Sequence, residues 1–236
     1  MEQPNDSAKI KQYLLSIRLS SDGFKLSVFD ESSVLLTSKK IFNSLFSLSS
    51  DEIIKIITSD VQLNYRTVRL ICESDKYIFI PNPIFRSEEA ADMLHFQFKP
   101  VKTDQIILNR IPKWDTVNVF SIPKSVHIAL TKMFPEAIIE HHLTYFLNEF
   151  VKLQNGNSVN IQVRNNIMDV VVITNGGIQL INSFNFNTPE DFTYYTLNIF
   201  DTLPLDTENC KVTLYNSDNK PELKKTLEKY LDVIKG

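Results

Sequence analysis

Apolar and polar residues alternate along two stretches of this chain, one near its start and one beyond its middle. In the first stretch Ile17, Leu19 and Leu26 are separated by polar residues, and turn-forming residues 20–23 and 30–33 interrupt the alternation. Period-two alternation places successive side chains on opposite faces of a half-buried strand. The pattern predicts three antiparallel strands joined by tight turns.

Helical spacing follows these strands. Ile53, Ile54 and Ile57 form an apolar stripe in residues 51–61, and Ser50 is the predicted N-cap. The segment "TVRLICE" then reads as a buried strand. At the end of the chain, "KPELKKTLEKYLDVIKG" predicts one last helix. Its predicted apolar face consists of Leu223, Leu227, Tyr230, Leu231 and Ile234.

The order of elements in the first stretch returns in the second at a constant offset. Ile161 lies 144 positions after Ile17, and Val170 lies 144 positions after Leu26. Three strands, a helix ("TPEDFTYYTLNIFDTL") and a further strand ("CKVTLYN") recur in this order, which favours an internal duplication over two unrelated halves. We predict a tail at 1–12, a first half at 13–120 and a second half at 121–236.

A three-strand meander followed by a helix and a strand resembles the ribonuclease-H-like unit, and two such units in tandem resemble the actin and Hsp70 ATPase superfamily. The resemblance implies an α/β fold with mixed sheets, built from tandem duplicated ribonuclease-H-like units. Several phrases also resemble a bacterial domain-of-unknown-function family, the one numbered 3822. They include "SIRLSSDGFKLSVFD", "VNVFSIP" and, most distinctively, "FNFNTPEDFTYYTLNIFDTLPLD". This second resemblance supports the fold and implies no reaction.

The actin-like resemblance also indicates where a nucleotide would bind. In that superfamily the turn between the first two strands of each half holds the phosphates, with an acidic residue near the strand end and glycines that let backbone N–H groups approach. The corresponding turns here are "SSDG" and "RNNI". In the first, Asp22 lies at the tip of the turn and not at the end of the strand, and the second has neither an acid nor a glycine, so both depart from the pattern of the superfamily. The degenerate candidate positions for a bound nucleotide are Ser20, Ser21, Asp22, Arg164 and Asn165.

The only Gly-Gly pair, in "VVVITNGGIQLI", has a simpler interpretation. Asn175 and Gly176 lie between two strand-length runs, and Asn-Gly is the preferred two-residue hairpin turn because both positions need a positive φ. Successive turns of a meander lie at opposite ends of its strands. The pair is therefore expected far from the turn at Arg164 that would hold phosphate.

Composition argues against nucleic-acid binding, a membrane span and secretion. A net charge of −3 gives no basic footprint for nucleic acid, and no apolar run is long enough to span a membrane. The N-terminal residues lack the apolar core of a secretory signal. We expect Cys72 and Cys210 to be buried, reduced thiols in a cytoplasmic protein rather than a disulfide framework.

Catalytic motifs are missing from the sequence. His141 and His142 in "EAIIEHH", a predicted short strand, should point to opposite faces, which favours structural histidines over a metal site. No P-loop, Rossmann or G-x-S-x-G fingerprint occurs, and five glycines are few for phosphate binding. We therefore expect no catalytic residue, metal or cofactor.

Two hypotheses remain. The first is a catalytically silent actin-like-fold interaction or scaffold module with an unknown protein partner, since some members of the superfamily are assembly platforms in pilus and secretion machinery. The second is a nucleotide-binding or phosphotransfer enzyme with an atypical site between the two halves.

Overall fold

The computed structural model describes residues 13–20, 22–42, 48–61, 65–152, 156–203, 205–215 and 220–236. The described residues up to Tyr145 form one compact unit, and those from Phe146 onward form a second. The tail predicted at 1–12 lies outside the described residues. The boundaries of the two repeated halves, predicted at 13–120 and 121–236, stay a prediction. The two compact units are defined by contacts between residues, whereas the halves were defined by the repeat in the sequence.

A five-stranded mixed sheet with the order β3-β2-β1-β4-β8 forms the centre of the first unit. The first three strands are antiparallel neighbours, and β4 and β8 continue the sheet in parallel from β1. The alternation in the sequence predicts the first three strands correctly. The strands are β1 (Leu14–Ser20), β2 (Gly23–Phe29), β3 (Leu35–Phe42), β4 (Thr67–Cys72) and β8 (Ile139–His141).

Helix α1 (Ser50–Asp60) joins β3 to β4 and buries Ile53 and Ile57. Its N-cap is Ser49, so the prediction of Ser50 is wrong by one residue. Ser49 has an extended backbone and accepts from the N–H of Glu52, whose carboxylate accepts from the N–H of Ser49 in return. This reciprocal capping box needs the Ser and the Glu three residues apart, which Ser50 and Glu52 are not.

Between β4 and β8 the first unit holds an additional three-stranded antiparallel sheet of order β5-β7-β6. Ile80, Leu94 and Val117 lie in its separate apolar core. Helix α3 extends from β7 and packs in the main core, where its Val126 lies in the same cluster as Ile53. The elements are β5 (Tyr77–Pro81), α2 (Ala90–Gln97), β6 (Asp104–Ile111), β7 (Thr116–Pro123) and α3 (Lys124–Met133); α4 (His142–Glu149) follows β8.

The second unit repeats the main sheet of the first, with the order β11-β10-β9-β12-β13. Helix α5 begins after Thr188, which is its N-cap and forms a capping box with Asp191. The elements are β9 (Ser158–Arg164), β10 (Ile167–Thr174), β11 (Gly177–Asn185), α5 (Pro189–Thr202), β12 (Lys211–Tyr215), α6 (Pro221–Leu227) and β13 (Val233–Lys235).

The predicted last helix is wrong beyond its first turns. Helix α6 ends at Leu227, and residues 233–235 form β13, which pairs in parallel with β12. Tyr230 and Ile234, predicted on the buried face, are exposed. The pairing satisfies the backbone groups along the outer edge of β12, a tertiary gain that local helical spacing cannot report.

Equivalent strands of the two units begin at the same offset of 144 positions that the sequence shows. Strands β1 and β9 begin at Leu14 and Ser158, which are 144 positions apart. Strands β4 and β12 begin at Thr67 and Lys211, again 144 positions apart. Identical strand order and equivalent positions in the two sheets confirm the predicted α/β fold built from two ribonuclease-H-like units.

Candidate functional site

The predicted phosphate turn of the first unit is a two-residue hairpin. Ser20 pairs directly with Gly23 across β1 and β2, and Asp22 lies in the turn between them. The predicted site residue Ser21 lies outside the described residues. The structure brings Ser20 and Asp22 together, since the Ser20 hydroxyl donates to Asp22 Oδ1 over 2.5 Å.

A cation completes this turn. Lys40 Nζ on β3 lies 3.1 Å from Asp22 Oδ2. The hydrogen bond from Ser20, followed by the bond and charge of Lys40, lowers the pKa of the Asp22 carboxyl. The turn therefore presents an ionised carboxylate whose two oxygens already accept bonds from its own neighbours.

The corresponding turn of the second unit has the same length. Arg164 pairs with Ile167, which leaves only Asn165 and Asn166 outside the ladder. Asn165 has a φ of 49°, the left-handed conformation that asparagine tolerates best among side chains with a Cβ. The Asn166 side chain accepts from Lys220 Nζ at 2.8 Å, and its carbonyl accepts from the N–H of Phe186.

The guanidinium of Arg164 is bound within its own hairpin. Its Nη2 donates to Asp169 Oδ1 over 2.9 Å, and its Nε donates to Asp169 Oδ2. Asp169 is fully buried on β10 and also accepts from the Ser183 hydroxyl at 2.7 Å. Sequence reasoning missed Asp169, although one acid inside the apolar run "IMDVVVI" was an available signal for a buried ion pair.

The Asn-Gly hairpin has the predicted form. Thr174 pairs with Gly177, so Asn175 and Gly176 alone make the loop, and their φ values are 51° and 78°. Two consecutive positive φ values are those of the turn that matches the twist of antiparallel strands. Since β10 separates this loop from Asn165, the pair lies at the opposite end of the strand from the candidate phosphate turn.

The histidine pair departs from its prediction. His141 and His142 are both buried, and their ring centroids lie 4.2 Å apart. They do not point to opposite faces, because β8 ends at His141 and α4 begins at His142. His141 Nε2 lies 2.9 Å from the Ser74 carbonyl, and its ring contacts Phe120. Within the described ranges, no three His, Cys, Asp or Glu side chains group to hold a metal ion.

Both cysteines are buried, free thiols, as predicted. Burial, with a smaller contribution from the charge of Glu73, raises the pKa of Cys72 to about 12. Burial and the charge of Asp206 raise the pKa of Cys210 to about 11. A thiolate nucleophile is therefore disfavoured at both positions near neutral pH.

In the part of the chain that the structure describes, no helix combines the length and apolarity needed to cross a membrane.

Comparison with solved structures identifies the fold. A protein of unknown function from Bacteroides thetaiotaomicron, described as having an actin-like ATPase fold, is 27% identical and superposes with a TM-score of 0.82. The match covers 99% of this chain and 94% of that one. The chain therefore has the actin-like ATPase fold.

More distant structures match with lower scores. The ethanolamine utilization protein EutJ from Carboxydothermus hydrogenoformans is 11% identical, with a TM-score of 0.45 over 94% of this chain and 84% of that one. A PilM–PilN type IV pilus biogenesis complex is 11% identical, with a TM-score of 0.46 over 96% of this chain and 88% of the other.

No curated protein is similar in sequence to this chain. The family model described as "Protein of unknown function (DUF3822)" matches residues 2–234. This match spans both units, so the chain belongs to the DUF3822 family.

Proposed function

We propose that this chain is a catalytically silent protein of the actin-like fold that serves as an interaction or scaffold module. The observation that carries the proposal is that both turns at the phosphate positions are two-residue hairpins whose charged side chains are bound locally. Phosphoryl transfer depends on positioning and electrostatic stabilisation of the phosphates by backbone groups and metal ions. The second turn has no glycine, and the one glycine of the first, Gly23, is paired with Ser20 in the strand ladder, so neither turn has the glycine-rich backbone that could approach a phosphate.

In the first unit the side-chain charge at the turn has the wrong sign for phosphate. Asp22 is ionised and partly exposed at the tip, and its cation Lys40 is already bound to it. A phosphate placed there would be repelled by the carboxylate unless a metal ion bridged the two anions.

In the second unit the charge of Arg164 has the right sign for phosphate, but its guanidinium is already paired with Asp169. Arg164 could reach a phosphate only by leaving Asp169, which is fully buried. Removing the partner of a buried charge costs about 3–5 kcal/mol in proteins. That cost makes Arg164 a structural cation of its hairpin and a poor phosphate ligand.

Exposed apolar residues on the first unit support the proposal of a protein partner. Val34, just before β3, and Leu35 and Leu36, the first residues of β3, are exposed and apolar, and among the described strands β3 lies at the edge of its sheet. An edge strand presents unpaired backbone groups together with these side chains, which suits pairing with an extended segment of another protein. We place the protein in the cytoplasm, a location that its two free buried cysteines support.

Thermal unfolding with and without MgATP, MgADP and MgGTP tests the silent site. We expect no shift, whereas a nucleotide at one hundred times its Kd would stabilise the fold by about 2.7 kcal/mol. A nucleotide-dependent shift that Asp22→Asn and Arg164→Lys both abolish would favour the alternative, an atypical nucleotide-binding or phosphotransfer enzyme. Its predicted site residues are Ser20, Ser21, Asp22, Arg164 and Asn165.

Matched surface substitutions test the interaction role. Leu36 and Ile128 are 50% and 51% exposed, on β3 and on α3 respectively. In co-purification from the native host, Leu36→Lys should lose a partner that the wild type retains, and Ile128→Lys should keep it. Equal recovery of every co-purifying protein with Leu36→Lys and Ile128→Lys would contradict a partner at β3.

A further inference from the structure

A small pocket lies in the additional three-stranded part of the first unit. Its walls come from the end of α2, the loop of residues 98–102, and the β6 and β7 strands, and its volume is about 250 Å³. We call it the three-lysine pocket. Its defining residues are Lys76, Leu94, Phe98, Lys99, Lys102 and Ile106.

The inner surface of the three-lysine pocket is apolar. Leu94 is almost fully buried, and Phe98 and Ile106 pack against the same core cluster. This floor can receive a flat or short aliphatic body by dispersion contact and loss of water. The volume lies just below the range usual for drug-sized ligands, so the occupant has the size of benzoate or hexanoate.

An ion pair between Lys76 and Asp104 lies beside the apolar surface of the pocket. Lys76 Nζ lies 2.9 Å from Asp104 Oδ2, which also accepts from the Ser121 hydroxyl at 3.3 Å. An ammonium group has three N–H donors, so Lys76 retains donors beyond the one that Asp104 uses. The Asp104 carboxylate is thereby paired with a cation, and both residues of the pair line the pocket.

Two further lysines leave an excess of positive charge. Lys99 and Lys102 are exposed at the rim, and neither forms an ion pair with any residue that the structure describes. With Asp104 balanced by Lys76, these two cations lack a counter-charge in the pocket. A cleft with low-dielectric walls and charge of one sign concentrates ligands of the opposite sign.

We propose that the three-lysine pocket binds a small organic anion. Its apolar body lies against Leu94, Phe98 and Ile106, and its anionic head group lies toward Lys99 and Lys102. This site uses none of the predicted phosphate-turn residues, so it is independent of the silent nucleotide positions.

Titration of the full chain followed by 1H–15N NMR tests this site. The probes are sodium benzoate, phenyl phosphate, and benzyl alcohol as the neutral analogue. We expect localised shifts around α2 and β6 with a Kd of about 1 mM for the better anion, the scale usual for a ligand of this size. Benzyl alcohol should bind at least fivefold more weakly. Tighter binding of benzoate identifies a carboxylate head group, and tighter binding of phenyl phosphate identifies a phosphate.

Charge variants separate recognition from general electrostatics. Lys99→Gln with Lys102→Gln should weaken the better anion at least threefold, and Val101→Glu at the rim should weaken it further. The matched control, Lys211→Gln with Lys229→Gln, removes the same charge from exposed positions of the second unit and should leave the Kd unchanged. All three positions altered at the rim are exposed, so the packed core is kept.

Three results would overturn the proposal. One is equal affinity for benzoate, phenyl phosphate and benzyl alcohol. Another is an unchanged Kd in the Lys99→Gln, Lys102→Gln variant; the two lysines would then act only on the negative end of α2. The third is no localised shift with either anion at ten times the expected Kd.

Discussion

Arg164 and Asp169 close the first hairpin of the second unit through two parallel bonds from one guanidinium to one buried carboxylate. The arginine side chain is 11% exposed and the aspartate is 0% exposed. A planar guanidinium matches both carboxylate oxygens, which fixes the geometry as well as the charge. Arg164, which lies in the candidate phosphate turn, therefore stabilises its own hairpin.

Replacing Asp169 tests how much this pair stabilises the fold. Asp169→Asn leaves a mostly buried guanidinium without its counter-charge, so urea denaturation should show a loss of about 3 kcal/mol. Asp232→Asn, an exposed change in the same unit, should stay within about 0.5 kcal/mol of wild type. Equal stability of the two variants would show that the pair contributes nothing.

The Asn-Gly hairpin offers a second test with its own internal control. Gly176 has a φ of 78°, and the space that a Cβ would occupy there is open, so Gly176→Ala should cost about 1 kcal/mol from backbone conformation alone. Gly177 has no left-handed φ, and an added Cβ would meet only Thr174 O at 3.8 Å. Gly177→Ala should therefore be close to neutral in the same denaturation assay, and a larger loss there than at Gly176 would contradict the turn geometry.

Carboxyl titration by 13C NMR tests the first-unit turn. The hydrogen bond from Ser20 is the largest cause of the lowered pKa of Asp22, ahead of Lys40. Ser20→Ala should raise that pKa toward its ordinary value, and Lys40→Gln, which removes both a hydrogen bond and a charge, should raise it as well. Because a lowered pKa favours folding only where the carboxylate is ionised, this contribution is lost as pH falls through the folded pKa.

A second aspartate gives the control for that titration. Asp206 has its pKa lowered chiefly by the Asn209 side chain, in the second unit. Its titration should be the same in wild type and in Ser20→Ala. An unchanged Asp22 in Ser20→Ala would show that the hydroxyl does not bind the carboxylate in solution.

Thiol reactivity tests the two cysteines. With the pKa of Cys72 raised to about 12 and that of Cys210 to about 11, both thiols are protonated at about pH 8 and shielded by burial. Ellman's reagent should react with neither in the folded protein and with both in concentrated guanidinium chloride. Rapid reaction of Cys210 in the folded state would indicate an accessible thiolate.

The parts of the fold that the sequence predicted are those set by local pattern. Alternation near Ile17 and Ile161, the constant offset between them and the Asn-Gly turn all depend on residues close in the chain. The three-lysine pocket was not predicted, because Lys76 and Lys102 come together only when β5 and β6 pair with β7. The Arg164–Asp169 pair was missed because the hairpin register decides which side chains meet diagonally across strands.

Substitutions near the end of the chain can distinguish the helix that local spacing predicts from β13, the strand that the structure contains. In β13 neighbouring side chains face opposite sides, so Val233 is 5% exposed and Ile234 is 45% exposed. Val233→Lys should therefore cost more than about 2 kcal/mol in urea denaturation, because it buries an unpaired charge. Ile234→Lys should change stability by less than about 0.5 kcal/mol. A helix continuing from Leu227 would place Ile234 on the buried face, seven residues along, and would reverse the order of the two variants.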